Sequence, residues 1–483
     1  MEMLPRRTGG EADGSRVVFR LLRQRALRWQ LLLASCEFLL LFACVFFAVH
    51  LRYWNDPGYQ VVFGHALRLR ALLVALMILL GMAALGLYQN QLRANWRGLL
   101  VRQALGFAIG GSALLILYYG VPATYIGRGV LGLAWATGFV AVTAFRLVFL
   151  QVVDAELFKR RVVVMGAGHR AALISQRMRR RTDSRGFRVI GYVPMGDEPV
   201  AVPNDVVLRP DRPLREWVRL MQVDELVVGP DDRRGGLPMA ELLECKQAGV
   251  IVTELAAFFE RESGQIKMSL VNPSWLVFSD GFDASPIRRL TKRAFDVTAA
   301  LLVLLVAWPL MLLVALAIRI ESGPGAPIFY RQERVGEHGR PFSLVKFRSM
   351  RTDAERDGVA RWASKGDDRV TRVGRFIRKG RLDELPQLWN VLHGDMSFIG
   401  PRPERPQFVD DFNARIRYYP LRHCVKPGLT GWAQLRYPYG SSAEDAEEKL
   451  KFDLFYVKNH NLLFDLMILI QTVEVVLFRR GAR

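Results

Sequence analysis

The residues best suited to chemistry are two adjacent carboxylates in a strongly basic stretch, Arg378-Lys379-Gly380-Arg381-Leu382-Asp383-Glu384-Leu385-Pro386. Pro386 and the apolar spacing of Leu385, Leu388, Trp389 and Leu392 predict a helix beginning there, with Asp383 and Glu384 at its N-terminal end. Acids are common at that position for capping and dipole reasons alone. The surrounding cations allow more. A carboxylate kept ionised by Arg378, Lys379 and Arg381 can attack phosphorus, while its neighbour holds a divalent metal bridging a diphosphate.

Two turns downstream suit the same chemistry. Gly400-Pro401-Arg402-Pro403 presents one arginine on a rigid turn, a geometry for bidentate phosphate contact. Lys426-Pro427-Gly428-Leu429-Thr430-Gly431-Trp432 adds a lysine, a hydroxyl and an aromatic, so that Lys426 and Thr430 join the candidate phosphate ligands. Upstream, residues 331–381 hold fifteen Lys/Arg against seven Asp/Glu, with Lys346 and Arg348 among strand-like and turn-like pieces. No groove-reading motif accompanies this charge, which argues against nucleic acid as a partner. A phosphate-bearing substrate beside anionic lipid explains it more economically, although many of these residues individually fit a solvated basic face.

The elements that must position these residues follow from composition. The chain is 51% hydrophobic yet carries a formal charge of +21. Disorder is excluded, and an ordinary soluble enzyme fits poorly; a membrane protein with basic cytoplasmic surfaces fits well. Four apolar runs, Trp29–Leu51, Ala71–Tyr88, Gln103–Val121 and Gly129–Leu150, each approach the roughly 20 residues needed to span a bilayer. The first lacks a cleavage site and is read as a span, not a signal peptide. Basic residues cluster before the first run (Arg6 to Arg28), between the second and third (Arg93, Arg97, Arg102) and after the fourth (Lys159, Arg160, Arg161), which puts both ends of the unit in the cytoplasm. Glu37 is expected to face other helices and Arg146 to snorkel from a helix end. The cysteines, Cys36, Cys44, Cys245 and Cys424, show no metal or disulfide spacing and fit a reducing compartment.

Beyond Arg161 come Val162–Met165, the glycine fingerprint Gly166-Ala167-Gly168-His169-Arg170-Ala171 and a helical stretch to Arg181. Strands at 188–193, 225–228 and 250–253 and a helix at 239–248 complete a Rossmann-like α/β pattern. No acidic residue ends the second strand to take a ribose, so the fingerprint reads better as a packing turn than as a nucleotide site. A fifth apolar run, 297–318, is interrupted by Trp308-Pro309 and flanked by Lys292 and Arg293 before and Arg319, Arg331 and Arg334 after. Kink and doubly basic flanks suit a helix that re-enters on one face; a tilted span with a tolerated proline is the competing reading.

From Lys292 to about Phe478 the chain resembles the bacterial polyprenyl-phosphate sugar-1-phosphate transferases, the monotopic phosphoglycosyl transferases. The matching residues are Lys292-Arg-Ala-Phe-Asp296, the proline-broken run, Lys346-Phe-Arg-Ser-Met350, Leu382-Asp-Glu-Leu-Pro-Gln387, Gly400-Pro-Arg-Pro403, Lys426-Pro-Gly-Leu-Thr-Gly-Trp432 and Asp453–Asn459. Phe455 departs from a stretch usually richer in tyrosine. The four spans and the α/β part look like the long members, so the likeness covers nearly the whole chain.

The resemblance implies four parts: a basic tail over 1–28, transmembrane helices over 29–150, a Rossmann-like domain over 151–285, and a catalytic domain over 286–483 with a re-entrant helix at 297–318. It implies that Asp383 attacks the β-phosphorus of a UDP-sugar, expelling UMP, and that polyprenyl phosphate then takes the sugar phosphate. Mg²⁺ would be held by Glu384 with Asp383, and Arg402 would grip phosphate. The location implied is the bacterial inner membrane, with the catalytic domain cytoplasmic and the last helix, 462–478, lying at the interface. Against a membrane-anchored nucleotide-sugar dehydratase stands the lack of any Tyr-x-x-x-Lys pair; against a non-catalytic scaffold stands the intact Asp383-Glu384 pair. Sugar identity and oligomeric state, a homo-oligomer included, are left open.

Overall fold

The computed structural model describes residues 25–54, 66–88, 96–152, 159–178, 186–232, 236–271, 273–282, 285–323, 325–354, 367–437 and 442–478. Most of the expected basic tail, Arg93 of the second connection and the 355–366 part of the basic segment lie outside them. The chain divides into two compact units, Met1–Ser263 and Gly264–Arg483.

In the first unit, helices α1 (Arg25–Arg52), α2 (Ala66–Ala84), α3 (Trp96–Gly120) and α4 (Arg128–Val152) match the four expected runs, and all are long and apolar enough to cross a membrane. Their shared core gathers Val45, Ala48, Ala71, Ala75, Ile78, Phe107, Leu114 and Val142. Glu37 is fully buried among them, as expected of an acid deep in a span. Arg146 does not snorkel. It is 3% exposed and holds Glu37 through two donors, with Nη2 at 2.7 Å from Oε2, while Tyr88 donates its hydroxyl to the same carboxylate. Pairing removes the need to reach water, because an intramembrane guanidinium costs least when a carboxylate neutralises it.

The rest of this unit is an alternating α/β array: β1 (Arg160–Met165), α5 (His169–Arg177), β2 (Phe187–Val193), α6 (Leu214–Leu220), β3 (Glu225–Val228), α7 (Met239–Gln247), β4 (Ile251–Glu254) and α8 (Leu255–Ser263). The strands form one parallel sheet in the order β2-β1-β3-β4. Continuous apolar runs such as Val162–Met165 suit such a sheet, which is covered on both faces.

The second unit begins earlier than the boundary expected at 286. Ile266 and Val271 pack with Val335, Phe412, Leu450 and Leu454, and the short α9 (Pro273–Phe278) follows. Helix α10 (Pro286–Ser322) is capped by Ser285, whose hydroxyl accepts from the Arg288 amide, and stays helical through Pro309. Near its start, Ala299 and Ala300 join a core with Leu388, Val391 and Phe398; near its end, Val314 and Ile318 pack with Phe347 and Ile377. No residue between 301 and 313 is buried, and Trp308 is half exposed.

The hairpin β5 (Phe329–Val335) and β6 (Pro341–Phe347) follows, then α11 (Arg372–Lys379), whose first amides, Arg372 and Val373, donate to Glu321 at the end of α10. Beyond it come α12 (Gln387–His393), β7 (Ser397–Ile399), α13 (Pro406–Arg415), β8 (Gly428–Thr430), α14 (Trp432–Arg436), α15 (Ala443–Asn459) and α16 (Leu462–Phe478). Strands β7 and β8 run parallel, pairing Ser397 with Gly428 and Ile399 with Thr430. Asp465 of α16 is buried: it accepts from the Tyr456 hydroxyl and lies 3.1 Å from Lys292 Nζ. It ties the last helix to the base of α10.

The Glu37–Arg146 pair yields a prediction for the bundle. Glu37→Ala leaves a buried guanidinium uncompensated and should cost about 3–5 kcal/mol, whereas Glu37→Leu with Arg146→Met should recover most of it. Thermal unfolding in detergent checks both; equal losses in the single and double variants would refute the pairing.

Candidate active site

The two acids lie in the 3-10 turn Leu382–Glu384 that leads into α12, one turn ahead of the helix proper. Arg381 enters this turn at φ 53°, a left-handed conformation that costs a residue bearing a β-carbon about 1–3 kcal/mol. Such strain clusters where a chain must aim functional side chains. Helix α12 fixes the turn against the hairpin through Asn390, whose Oδ1 accepts from Val345 N at 3.1 Å and whose Nδ2 donates to Ser343 O at 2.8 Å. Lys346, the next residue along β6, is thereby brought to the dyad.

Glu384 gathers the cations. Arg402 Nη2 donates to its Oε1 at 3.0 Å, Lys346 Nζ stands 3.5 Å from the same oxygen, and Arg381 Nη1 stands 3.8 Å from Oε2. Burial opposes charge on Glu384, but Arg402, Lys346 and Arg381 overcome it and bring the carboxyl down to about 2. Asp383 differs. Burial and the adjacent Glu384 charge push its carboxyl above the ordinary aspartate value, with Lys346 and Arg378 opposing. Burial also lowers the Lys346 ammonium, despite Glu384. Neighbouring carboxylates driven apart in this way can take separate roles. One is held by cations; the other is left available.

The sequence candidates therefore split. Asp383, Glu384, Lys346, Arg381 and Arg402 come together, and Arg378 acts on Asp383 through space. Arg348, Lys426 and Thr430 do not join them. Arg348 is buried, feels Glu321 at the end of α10, and has no hydrogen-bond partner for Nε and Nη2 among the described residues. Thr430 shares its hydroxyl with Thr472 of α16 at 2.9 Å. Lys426 lies beside Gly394 and Arg293.

The second glycine turn instead supports the first. A β-carbon on Gly400 would fall 2.4 Å from the Lys426 carbonyl oxygen, and Gly428 N donates to Pro401 O at 2.9 Å. Trp432 is core, packed with Phe464 and donating to Gly264 O. Sequence reading missed Arg422, Tyr419 and Asp453, which line up behind Arg402; only Asp453 lay in a motif.

Among the described residues, no three His, Cys, Asp or Glu side chains converge as a metal cluster. The dyad nevertheless matches what Mg²⁺ accepts from protein when phosphates and water supply the rest, namely one or two carboxylates.

A second loop has the makings of an anion site. The turns after β1 and β3 diverge at the sheet's switch point, where ligands of open α/β sheets bind. Here the chain fills it. Asp231 accepts from His169 N at 2.8 Å and Arg170 N at 2.7 Å, and Glu198 accepts from Ala167 N at 2.6 Å and Asp231 N at 3.1 Å. A β-carbon on Gly168 would meet Asp231 Oδ2 at 2.3 Å, so that glycine makes room for the chain's own carboxylate.

Residues 287–479 match the family described as bacterial sugar transferase. A UDP-glucose:undecaprenyl-phosphate glucose-1-phosphate transferase of Xanthomonas campestris pv. campestris is 31% identical over 88% of this chain and 91% of its own length. A UDP-N-acetylgalactosamine-undecaprenyl-phosphate N-acetylgalactosaminephosphotransferase of Aeromonas hydrophila is 42% identical over 52% of this chain, which spans 58% of that relative. A UDP-glucose:undecaprenyl-phosphate glucose-1-phosphate transferase of Caulobacter vibrioides is 46% identical over 39% of this chain and 70% of its own length.

Internal capping of the glycine loop predicts its exchange behaviour. The His169 and Arg170 amides should resist hydrogen exchange with no nucleotide added, and Asp231→Ala should lose that protection by about tenfold, the worth of a ~1 kcal/mol cap. Unprotected amides in the parent chain would contradict the capping.

Proposed function

This chain belongs to the bacterial sugar transferase family, and from that premise we propose that it moves a sugar 1-phosphate from a UDP-sugar to a polyprenyl phosphate at a membrane surface. The observation that carries the reading is the unequal dyad, a Glu384 held by three cations beside an Asp383 with no ion pair among the described residues. An Asp383 carboxylate oxygen attacks the β-phosphorus, the bond to the bridging oxygen breaks, and UMP departs with that oxygen. The sugar phosphate stays on Asp383 until a polyprenyl phosphate oxygen attacks the same phosphorus and frees the carboxylate. Arg402, Lys346 and Arg381 neutralise the diphosphate and orient it for attack. A Mg²⁺ held by Glu384 and Asp383 would supply further neutralisation of the diphosphate when bound.

Membrane placement follows the same reading. Among the described residues, five helices are long and apolar enough to cross, α10 among them. A re-entrant course for α10 is supported by its two flanks, which pack into adjoining cores of one unit through Leu344 and Phe347, three residues apart on β6. A straight helix would separate Ala300 from Ile318 by about 27 Å at 1.5 Å per residue. In the re-entrant course the chain bends at Pro309, its exposed side chains between 301 and 313 face lipid, and the dyad stays on the cytoplasmic side with its UDP-sugar. We read the α/β array as Rossmann-like, with its phosphate loop closed by Glu198 and Asp231, and therefore as structural.

Asp383→Asn should lower UMP release by roughly a thousandfold or more. In the parent chain the acid limb of the rate should lie above the ordinary aspartate pKa of ~3.9. The sign follows from the nucleophile: protonation below its raised pKa removes the attacking oxygen, so rate falls with falling pH. UMP assays across pH test both. Normal release by Asp383→Asn, or an acid limb in the parent chain at or below the ordinary aspartate value, would count against the assignment.

A further inference from the structure

Behind the dyad lies a charged network that touches no reacting atom. Arg422, in the 3-10 segment Tyr419–Cys424, is 5% exposed. Its Nε and Nη2 donate to Asp453 Oδ2 of α15 at 3.1 and 2.9 Å, its Nη1 donates to the Tyr419 hydroxyl at 2.6 Å, and its Nη2 also donates to the backbone carbonyl oxygen of Arg402 at 2.9 Å. Asp453 and Tyr419 are equally buried, at 3% and 2%. With its donors engaged inside the protein, Arg422 is not a substrate ligand.

From this geometry we infer that Arg422 is the positioning residue for Arg402, holding its backbone so that the guanidinium meets Glu384 and the diphosphate; the inference rests on the proposed function above. The turn 401–404 is gripped at all four carbonyls: Gly428 N donates to Pro401 O, Arg422 to Arg402 O, Arg334 Nη1 to Pro403 O at 3.1 Å and Val335 N to Glu404 O at 3.0 Å. Of these grips, Arg422 alone acts on the carbonyl of Arg402 itself. Prolines on both sides narrow the backbone choices of Arg402, so a fixed carbonyl sets the origin of the side chain. Nη2 of Arg402 then reaches Glu384 Oε1 at 3.0 Å. A buried Arg–Asp pair is weak evidence for stability, since apolar replacement is often as stable. Here its value is geometric. Misplacing a phosphate clamp by about 1 Å can cost a hundredfold in rate.

A double-mutant cycle on UMP release by the full chain tests this. Arg422→Gln should lower kcat/KM by roughly ten- to hundredfold in the parent and by less than about twofold in an Arg402→Ala background, because a residue acting through Arg402 has nothing left to position. An equal factor in both backgrounds would assign Arg422 a merely structural role and overturn the inference. If Arg422→Gln fails to fold, Tyr419→Phe, which removes one acceptor of Arg422, enters the cycle in its place and is judged by the same comparison. If Arg402→Ala falls to the level of Asp383→Asn, the same comparison is made on UDP-sugar binding, where Arg422→Gln should weaken the parent and leave Arg402→Ala unchanged. UMP release that survives Asp383→Asn would instead overturn the nucleophile assignment, and the coupling between Arg422 and Arg402 would still be read from the cycle.

Discussion

The catalytic unit depends on the pairing of one carboxylate with three cations. Glu384 draws Lys346 from β6, Arg381 from the turn it shares and Arg402 from the turn after β7. Each comes from a different element, so the pairing sets how hairpin, helix and turn must meet. It also separates the two acids: with the cations on Glu384, Asp383 is left to burial and repulsion, which raise its carboxyl. The supports follow from this demand. Asn390 fixes the hairpin that carries Lys346, Arg422 grips the backbone that carries Arg402, and a strained Arg381 aims the acids.

The same physics disposes of charge elsewhere in the chain. In the helical bundle a buried arginine is neutralised by Glu37. At the base of α10, Lys292 lies against both Asp296 and Asp465, binding the last helix to the long apolar one. In the α/β array, Glu198 and Asp231 occupy amides that would otherwise face a phosphate. One glycine-rich turn is thus closed by the protein's own anions, while the cations of the catalytic unit stay gathered on the dyad.

Much of this was legible in sequence, for identifiable reasons. Apolar runs announced the four helices because length and hydrophobicity alone decide them. Strand 225–228 and helix 462–478 agree with the structure to the residue, since each is bounded by a clear change of pattern. The dyad stood out because Arg378, Lys379 and Arg381 flank it in sequence, although two of the three cations that meet Glu384, Lys346 and Arg402, come from distant segments. What stayed hidden depends on partners distant along the chain. Arg146 looked able to snorkel because Glu37 lies 109 residues away. Thr430 looked like a ligand because nothing local reveals that it faces Thr472. Arg422 sits in no motif, and its role appears only when the fold brings it to the Arg402 carbonyl. The Gly166–Gly168 fingerprint was read from its own loop, whereas Asp231 arrives from the turn after another strand.

In the proposed chemistry Glu384 holds the cations so that Asp383 can bind phosphorus, and everything else rests on that division. The most direct measurement is to incubate the full chain in lipid with a UDP-sugar and no polyprenyl phosphate, then determine the mass of the peptide containing Asp383. The expected result is one sugar phosphate joined to Asp383, formed together with UMP and discharged when polyprenyl phosphate is added. Turnover with both substrates but no adduct under these conditions, or an adduct carried by Glu384, would contradict it.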